Sequence, residues 1–332
     1  MARPYYIFRS GTLRREQNTL YLENEEGKRP IPVEDVDSLY VFGELSLNTK
    51  LLTFLAQKGI PVHFFDYYEN YTGTYYPREQ LVSGFLLIRQ VEHYLDAKRR
   101  MAIARELVSA ATDNLLRNLK YYRNRTEEGE KLEAIIIDIE SDQKQIPDAK
   151  DTLQLMAIEG RVRDRYYQSF NLMVQLDEPF QKRVKRPPDN PINALISFGN
   201  ALLYRTVLSE IYRTQLVPTV SYLHEPSARR FSLSLDLAEI FKPLLVDRTI
   251  FKLVNNRMLG EDDFERALNY CYLCDSGRKT FVKQWEERLN QTIEHRELKR
   301  PVSYRRLIRL ECYKLIKHLL GEETYEGFRM WW

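Results

Sequence analysis

The hydrophobic period changes once along this chain, and that change most limits what it can fold into. Through about residue 75 the apolar residues come in short runs, at 5–8, 19–22, 38–42 and 62–65. Ser10-Gly11, Glu26-Gly27, Gly43 and Gly59-Ile60-Pro61 separate them, and runs of this length between such turn signals read as strands. Between the last two runs, residues 47–58 read as a helix, with Leu51, Leu52, Phe54 and Leu55 apolar and Gly59 placed as its stop. The tyrosine-rich stretch 66–77, with Gly73 and a terminal proline, reads as a connection. From Gly84 the apolar residues recur at three and four, as Leu87, Val91, Tyr94 and Leu95, then Ile103, Leu107 and Ala110, which predicts one long amphipathic helix. The remainder reads as helices separated by breakers, among them 126–131, Pro147, 186–191, Pro218, Glu225-Pro226, Gly260 and Pro301. The expected architecture is therefore α+β in two domains: residues 1–77 β-rich with one helix, and residues 78–332 larger and helical.

Composition narrows the class. Hydrophobic residues make up 43% and charged residues 29%, the proportions of an ordered globular protein. No apolar run approaches the roughly 20 residues that span a bilayer, and the N-terminus lacks the apolar core of a signal peptide. Three cysteines cannot build a disulfide framework, so free thiols and a cytoplasmic location are expected. The 50 basic against 47 acidic residues give a formal charge of +3, too small to demand a nucleic-acid partner. Basic clusters do occur, at Lys98-Arg99-Arg100, at Arg161, Arg163 and Arg165, at Lys182-Arg183 with Lys185-Arg186, at Arg229-Arg230, and at Arg305-Arg306 with Arg309. Each alone is what a solvated face looks like.

Glu159 is the most informative single residue. It stands at helical spacing among Leu155, Val162, Tyr166, Phe170 and Met173, on the stripe that should face the core. A carboxylate there needs a cation, a hydrogen-bond network or a wet cleft. Two readings are open: a functional site, or a core-edge glutamate paired with Arg163 four residues on. In 232–243 an alternating, strand-like approach turns into a helical pattern, and Asp236 and Glu239 share one helix face. Two like charges there suit a cation, but Asp-x-x-Glu ahead of an apolar run is also a capping box with Asp236 as N-cap. His224 precedes Glu225-Pro226, which places it on a loop or helix end. Cys271 and Cys274 form a C-x-x-C pair without a second pair to complete a zinc site, and read as small helical residues. A phosphate-binding glycine loop, a dinucleotide fingerprint and a serine-nucleophile elbow are absent from the sequence, which removes several enzyme classes.

The order and surroundings of these residues resemble the CRISPR-associated integrase-endonuclease family that inserts new spacers during CRISPR adaptation. The resemblance spans nearly the whole chain. It is carried by Ile158-Glu159-Gly160 with Arg163 and Tyr166-Tyr167, and by Asn193-Ala194-Leu195-Ile196 with Gly199-Asn200-Ala201-Leu202-Leu203. Its most specific part is His224 followed by the 235–243 segment and Val246-Asp247-Arg248. Phe8-Arg9-Ser10-Gly11-Thr12-Leu13 and the 56–62 segment resemble members from type I systems. Arg161 departs from the pattern, standing where a small or amide residue is commoner.

The resemblance implies a β-sandwich-like N-terminal domain that dimerises, an all-α catalytic domain, and a homodimer joined by a small companion, CRISPR-associated protein two. It also implies double-stranded DNA substrates, the pre-spacer and the CRISPR leader-repeat, and a metal held by Glu159, His224 and Glu239, with Asp236 close by. Two carboxylates and an imidazole suit Mg2+ or Mn2+ better than zinc. Lys242 and Arg248 are placed to hold a phosphate. Arg163, Tyr166, Tyr167, Lys185, Arg186, Arg229 and Arg230 are expected to track the DNA backbone. A catalytically silent DNA-binding scaffold and an RNA-processing nuclease are the competing readings.

Overall fold

The computed structural model describes residues 2–78, 81, 83–176, 178–226, 231–267 and 270–331. The chain divides into two units, Met1–Val82 and Ser83–Trp332.

The first unit holds β1 (Arg3–Ile7), β2 (Gly11–Glu16), β3 (Thr19–Asn24), β4 (Gly27–Pro32), β5 (Val36–Val41), β6 (Leu45–Ser46), α1 (Thr49–Lys58), β7 (Val62–Phe65) and β8 (Tyr71–Tyr75). They build two four-stranded sheets, ordered β1-β5-β7-β8 and β4-β3-β2-β6. Alternation decides which side chains turn inward: Leu13, Leu20 and Ile31 from one sheet meet Leu39, Val41 and Val62 from the other, with Leu51, Phe54 and Leu55 of α1 filling the same core. Asn48 caps α1 by accepting from Leu51 N at 2.9 Å, and Gly59 ends it at φ +66°, as its position in the sequence predicts.

Four strands, β2, β4, β6 and β8, lie outside the runs read from the sequence. β2 buries a single side chain, Leu13, β4 is mostly exposed and β6 is two residues long, so their apolar signal is weak, and β4 is an edge strand in which Pro30 and Pro32 are tolerated. The stretch expected as a connection holds β8, an edge strand whose Thr74 hydroxyl lies 2.8 Å from Nδ1 of buried His63.

The second unit holds α2 (Gly84–Leu95), α3 (Ala97–Arg123), α4 (Gly129–Gln143), α5 (Thr152–Gln168), α6 (Phe170–Met173), α7 (Pro191–Tyr212), α8 (Ser232–Lys242), α9 (Arg248–Asn255), α10 (Asp275–Asn290) and α11 (Tyr304–Leu320). The single long helix expected from residue 84 is in fact two. Asp96 breaks it, taking an extended conformation and accepting from Lys98 N at 2.9 Å and Arg99 N at 3.0 Å as an N-cap. Nor is the unit wholly helical: it carries two short hairpins, Phe264–Ala267 with Tyr270–Leu273 and Thr292–Glu294 with Pro301–Ser303. Cys271 therefore lies in a strand and Cys274 caps α10, rather than both sitting in a helix; Cys271, Cys274 and Cys312 are thiols not joined by a disulfide.

At the centre run α7 and α8, apolar almost all round and buried accordingly. Pro243 ends α8 and starts a π-helical turn, Pro243–Asp247, that leads into α9. A proline removes one amide from the helical ladder, so carbonyls near it need other donors. Two asparagines one turn apart on α3 supply them: Asn114 Nδ2 donates to Ile240 O at 3.0 Å and Asn118 Nδ2 to Pro243 O at 2.9 Å. The C-terminal segment closes over the same region, with Met330 N donating to Asn114 Oδ1 at 2.8 Å and Phe328 stacked on Phe241. Thus Met330 docks on its own unit; Trp332 lies outside the described residues. Among the described residues, no helix is long and apolar enough to cross a membrane.

Gly199 lets α7 approach the π-helical turn. A Cβ there would stand 2.6 Å from Val246 Cγ1 and 3.0 Å from Phe281 Cζ. Gly199→Ala should therefore destabilise the helical unit by about 1–3 kcal/mol, the usual cost of overpacking, read as a lower urea midpoint, despite alanine's better helix propensity.

Candidate active site

Helix α5 begins at an N-cap, Asp151, which accepts from Gln154 N at 2.8 Å, and turns Leu155, Ile158, Val162 and Tyr166 into the core. Glu159 lies at the edge of that stripe, its side chain 25% exposed. One turn on, the buried Arg163 guanidinium donates from Nε to Glu159 Oε1 at 3.1 Å, so the predicted i to i+4 pair forms. The same guanidinium bonds Glu239 Oε2 through Nη2. Two carboxylates from different helices are thus gathered onto one cation.

Glu239 sits on α8, and three residues on, the Lys242 ammonium bonds its other oxygen, Oε1. Burial alone would raise the Glu239 pKa, but Lys242, Arg163 and His224 outweigh it and hold the carboxyl down at about 2. Burial likewise pulls on Lys242 in the opposite sense, and the charge of Glu239 prevails, leaving the ammonium above its ordinary value. Beneath them Asp247, fully buried at the end of the π-helical turn, is pushed up to about 7 by desolvation, against the pull of Arg163 and a hydrogen bond with Tyr166.

Asp236 does not cap α8. The helix starts at Ser232 instead of following an extended approach, which leaves Asp236 inside it and excludes the capping-box reading. Its buried carboxylate instead organises the loop ahead of the helix: Oδ2 accepts from Tyr222 N at 2.7 Å and Leu223 N at 3.0 Å, while Oδ1 accepts from His224 N at 3.0 Å and His224 Nδ1 at 2.8 Å. Since the carboxylate can only accept, Nδ1 carries the proton and Nε2 of the neutral ring keeps its lone pair. Burial lowers the His224 pKa, but the hydrogen bond and charge of Asp236, with a contribution from Glu239, raise it above 6.5 on balance.

Several residues that hold this loop carry no motif. Ser221 Oγ donates to His224 O at 2.6 Å, and Arg100 donates from Nε to Tyr222 O at 2.9 Å while Nη2 reaches Glu225 at 2.5 Å. Gln90 bonds both Val217 N and Val217 O, at 2.8 and 3.2 Å. In the sequence Arg100 is one member of a basic run, with nothing to separate it from its neighbours.

Several expected DNA contacts are placed elsewhere. Tyr166 is fully buried, its hydroxyl accepting from Asn118 Nδ2 at 3.0 Å, and Tyr167 is buried against Phe170 and Phe180; neither reaches a backbone outside the fold. Arg163 is spent between the two glutamates rather than facing solvent. Arg161 and Arg165 pair with Asp142 of α4, and Arg183 is bound to Asn193 and Ser197. Arg248 is half-buried, its Nε donating to Asn118 Oδ1 at 2.8 Å. Lys185 and Arg186 are exposed. The Lys185 amine is pushed below the ordinary lysine value, by desolvation and then by Lys242 and Arg183. Arg229 and Arg230 lie outside the described residues.

Among the described residues, no three His, Cys, Asp or Glu side chains converge within reach of one ion. What stands at the two glutamates is positive charge supplied by Arg163 and Lys242. The donor set nevertheless suits a hard divalent cation: Glu239 is held deprotonated, Glu159 shares its counter-ion, and His224 has one nitrogen committed and the other free. The buried Nη1 of Arg163 has no hydrogen-bond partner, so the guanidinium that holds the two acids together is itself incompletely satisfied.

Comparison with known proteins places the chain in a family. The sequence model of the family described as "CRISPR associated protein Cas1" matches residues 5–287. A curated relative from Thermodesulfovibrio yellowstonii, named CRISPR-associated endonuclease Cas1 3, is 54% identical over 99% of this chain and 100% of its own length. Another from Fusobacterium nucleatum, named CRISPR-associated endonuclease Cas1, is 50% identical over 100% of this chain and 98% of its own. Among solved structures, a Cas1 protein from Thermotoga maritima superposes with a TM-score of 0.89 at 44% identity, covering 98% of this chain and 100% of that one. A family match across most of the length, relatives of this identity and a shared fold lead to one conclusion: the chain belongs to the Cas1 family.

Proposed function

We propose that the chain is a metal-dependent DNA endonuclease and integrase of CRISPR adaptation, which joins short DNA fragments to the CRISPR array through attack of a 3′-hydroxyl on a phosphodiester. The observation that carries this reading is the gathering of Glu159 and Glu239, from separate helices, onto one guanidinium beside an imidazole fixed by Asp236. Glu159, Glu239 and the free nitrogen of His224 would hold Mg2+ or Mn2+, and membership of a family of nucleases supports the assignment. Such an ion polarises a phosphate and stabilises charge developing on its oxygens.

The chain's own residues do the rest. Asp236 keeps the His224 ring in one orientation and one tautomer. Lys242 and Arg163, once released from the glutamates, offer donors to a phosphate, Arg163 in the bidentate geometry that guanidinium favours. Lys185, exposed and electrostatically coupled to the cluster, extends the positive field toward incoming backbone. Lys242, Arg248, Lys185 and Arg186, with Arg229 and Arg230, make up the proposed contacts to duplex DNA. The working assembly is proposed to be a homodimer with the companion protein Cas2, on pre-spacer and leader-repeat DNA.

The test is direct. Glu239→Gln and Glu159→Gln should each lower Mn2+-supported cleavage of duplex DNA, and strand transfer into a leader-repeat substrate, by at least about a hundredfold while leaving the fold intact by circular dichroism. Unchanged rates in both variants would exclude the proposed ligand set.

A second expectation concerns pH. A protonated imidazole cannot ligate, and the folded pKa of His224 lies above 6.5, so metal-supported activity should fall as pH drops through that raised value. The stability linkage runs the other way: the charged His224 and Asp236 pair contributes fully below pH 6.5 and its contribution is lost as pH rises through the folded value. Asp236→Asn should lower the His224 pKa, seen by NMR titration of the ring, and reduce activity even where His224 is neutral. An unmoved titration would refute the role assigned to Asp236.

A further inference from the structure

A cavity of about 370 Å3 lies on the helical unit, walled by the last turn of α3 and by residues of α9 and α10. That volume is within the roughly 300–1,000 Å3 of ordinary small-molecule sites. Neither Glu159, His224 nor Glu239 lines it, so it is distinct from the carboxylate cluster. Among the described residues its wall carries three cations, Arg248, Lys252 and Arg288, and no carboxylate. Among the described residues, the one acid in an ion pair with these cations is Glu287, 3.2 Å from the Lys252 ammonium.

Two of the lining groups are unanswered. Gln284 is 4% exposed, and its Oε1 has no hydrogen-bond partner. Arg288 donates from Nε to Leu244 O and from Nη1 to Gln291 Oε1, both at 3.1 Å, but its buried Nη2 has no acceptor. Buried polar atoms without partners are costly, and two in one cavity mark a place where a ligand supplies an acceptor and a donor. Burial holds the Arg288 guanidinium below its ordinary value, and the like charge of Arg248 adds to the effect; an anion seated between them would relieve both.

Aromatic surface completes the site. Tyr121 is 45% exposed, with the Arg125 guanidinium 3.8 Å from its ring centroid and that of Arg248 at 5.7 Å. Aromatic rings and guanidinium planes are the surfaces on which nucleobases stack. Cations without carboxylates, a half-exposed tyrosine already stacked with one guanidinium, and an amide oxygen without a donor together fit a ligand with a phosphate, a flat ring and hydrogen-bonding edges.

We propose that this cavity binds one nucleotide, its phosphate among Arg248, Lys252 and Arg288, its base on Tyr121 with an edge group donating to Gln284 Oε1. The nucleotide is either free or one unpaired residue of a DNA strand, and both present the same chemistry. The proposal does not rest on the metal assignment.

Calorimetry on the full chain tests it, with dAMP, deoxyadenosine, inorganic phosphate and a 5′-phosphorylated single-stranded DNA tetranucleotide as probes. Binding of dAMP or the tetranucleotide is expected, weakened roughly tenfold by Tyr121→Ser and by Arg288→Met, in line with the loss of one stacking or phosphate contact. Equal affinity for dAMP and the tetranucleotide indicates a free nucleotide, and tighter binding of the tetranucleotide indicates a strand. Because Tyr121 is a surface side chain, its variant remains decisive if Arg288→Met does not fold. The proposal is overturned if neither nucleotide probe binds, if Tyr121→Ser binds both as the parent does, or if inorganic phosphate binds as tightly as dAMP.

Discussion

The helical unit is organised around a buried anion that needs positive charge. Glu239 is 4% exposed, and an isolated carboxylate in that position would either protonate or unfold its surroundings. Arg163 and Lys242 answer it from two directions, one from α5 and one from its own helix. That requirement fixes how α5 lies against α8, because a guanidinium must reach Glu239 while still holding Glu159. Buried ion pairs are weak stabilisers once desolvation is counted, and removing one partner costs more than the pair contributes. Such a cluster is better explained as something kept for chemistry than as something kept for stability.

A second constraint acts through backbone rather than charge. Pro243 interrupts the amide ladder directly after Lys242, and the chain passes into α9 through a π-helical turn. The carbonyls around that break are answered by Asn114 and Asn118 of α3, and Asn118 also carries the Tyr166 hydroxyl and Arg248. One helix therefore sets the depth of α8 and the position of the core beneath Arg163. On the opposite flank, Asp236 ties three successive backbone amides and one imidazole to the same helix. Glu239 and the anchor of His224 thus both stand on α8, while Ser221 and Arg100 steady the histidine loop from outside it.

Much of this was legible in the sequence, and the reasons for the rest are physical. The change of period located the passage from sheets to helices, and Gly59 marked the end of α1 because a helix stop is a local signal. Glu159 stood out because a charge on an apolar stripe is improbable without a partner, and the partner at Arg163 follows from helical spacing. β4 was invisible because an edge strand with exposed side chains carries little hydrophobic pattern, and β2 because it buries only Leu13. The two readings of Asp236 stayed open for a related reason: Asp-x-x-Glu describes both a helix start and a helix interior, and only the tertiary position of Tyr222 to His224 tells them apart. Tyr166 and Tyr167 misled because an aromatic beside an arginine looks alike whether it meets a nucleobase or a core. Arg100 and Gln90 could not be found at all, since each acts on a backbone group more than a hundred residues away.

The cations now bonded to the glutamates also bear on how the site works. Under the proposed function, a divalent ion at Glu159 and Glu239 would meet like charge from Arg163 and Lys242, and would bind only by displacing them from the carboxylate oxygens. Displacement would cost less if the displaced cations found another anion, and a DNA phosphate would be one. Metal and phosphate would then favour each other's binding, with the carboxylates on the ion and the guanidinium and ammonium on the phosphate oxygens. Such coupling would be reciprocal, as any linkage between two ligands must be. On that reading, two acids and an imidazole share their place with two basic groups because the basic groups have a second anion to answer.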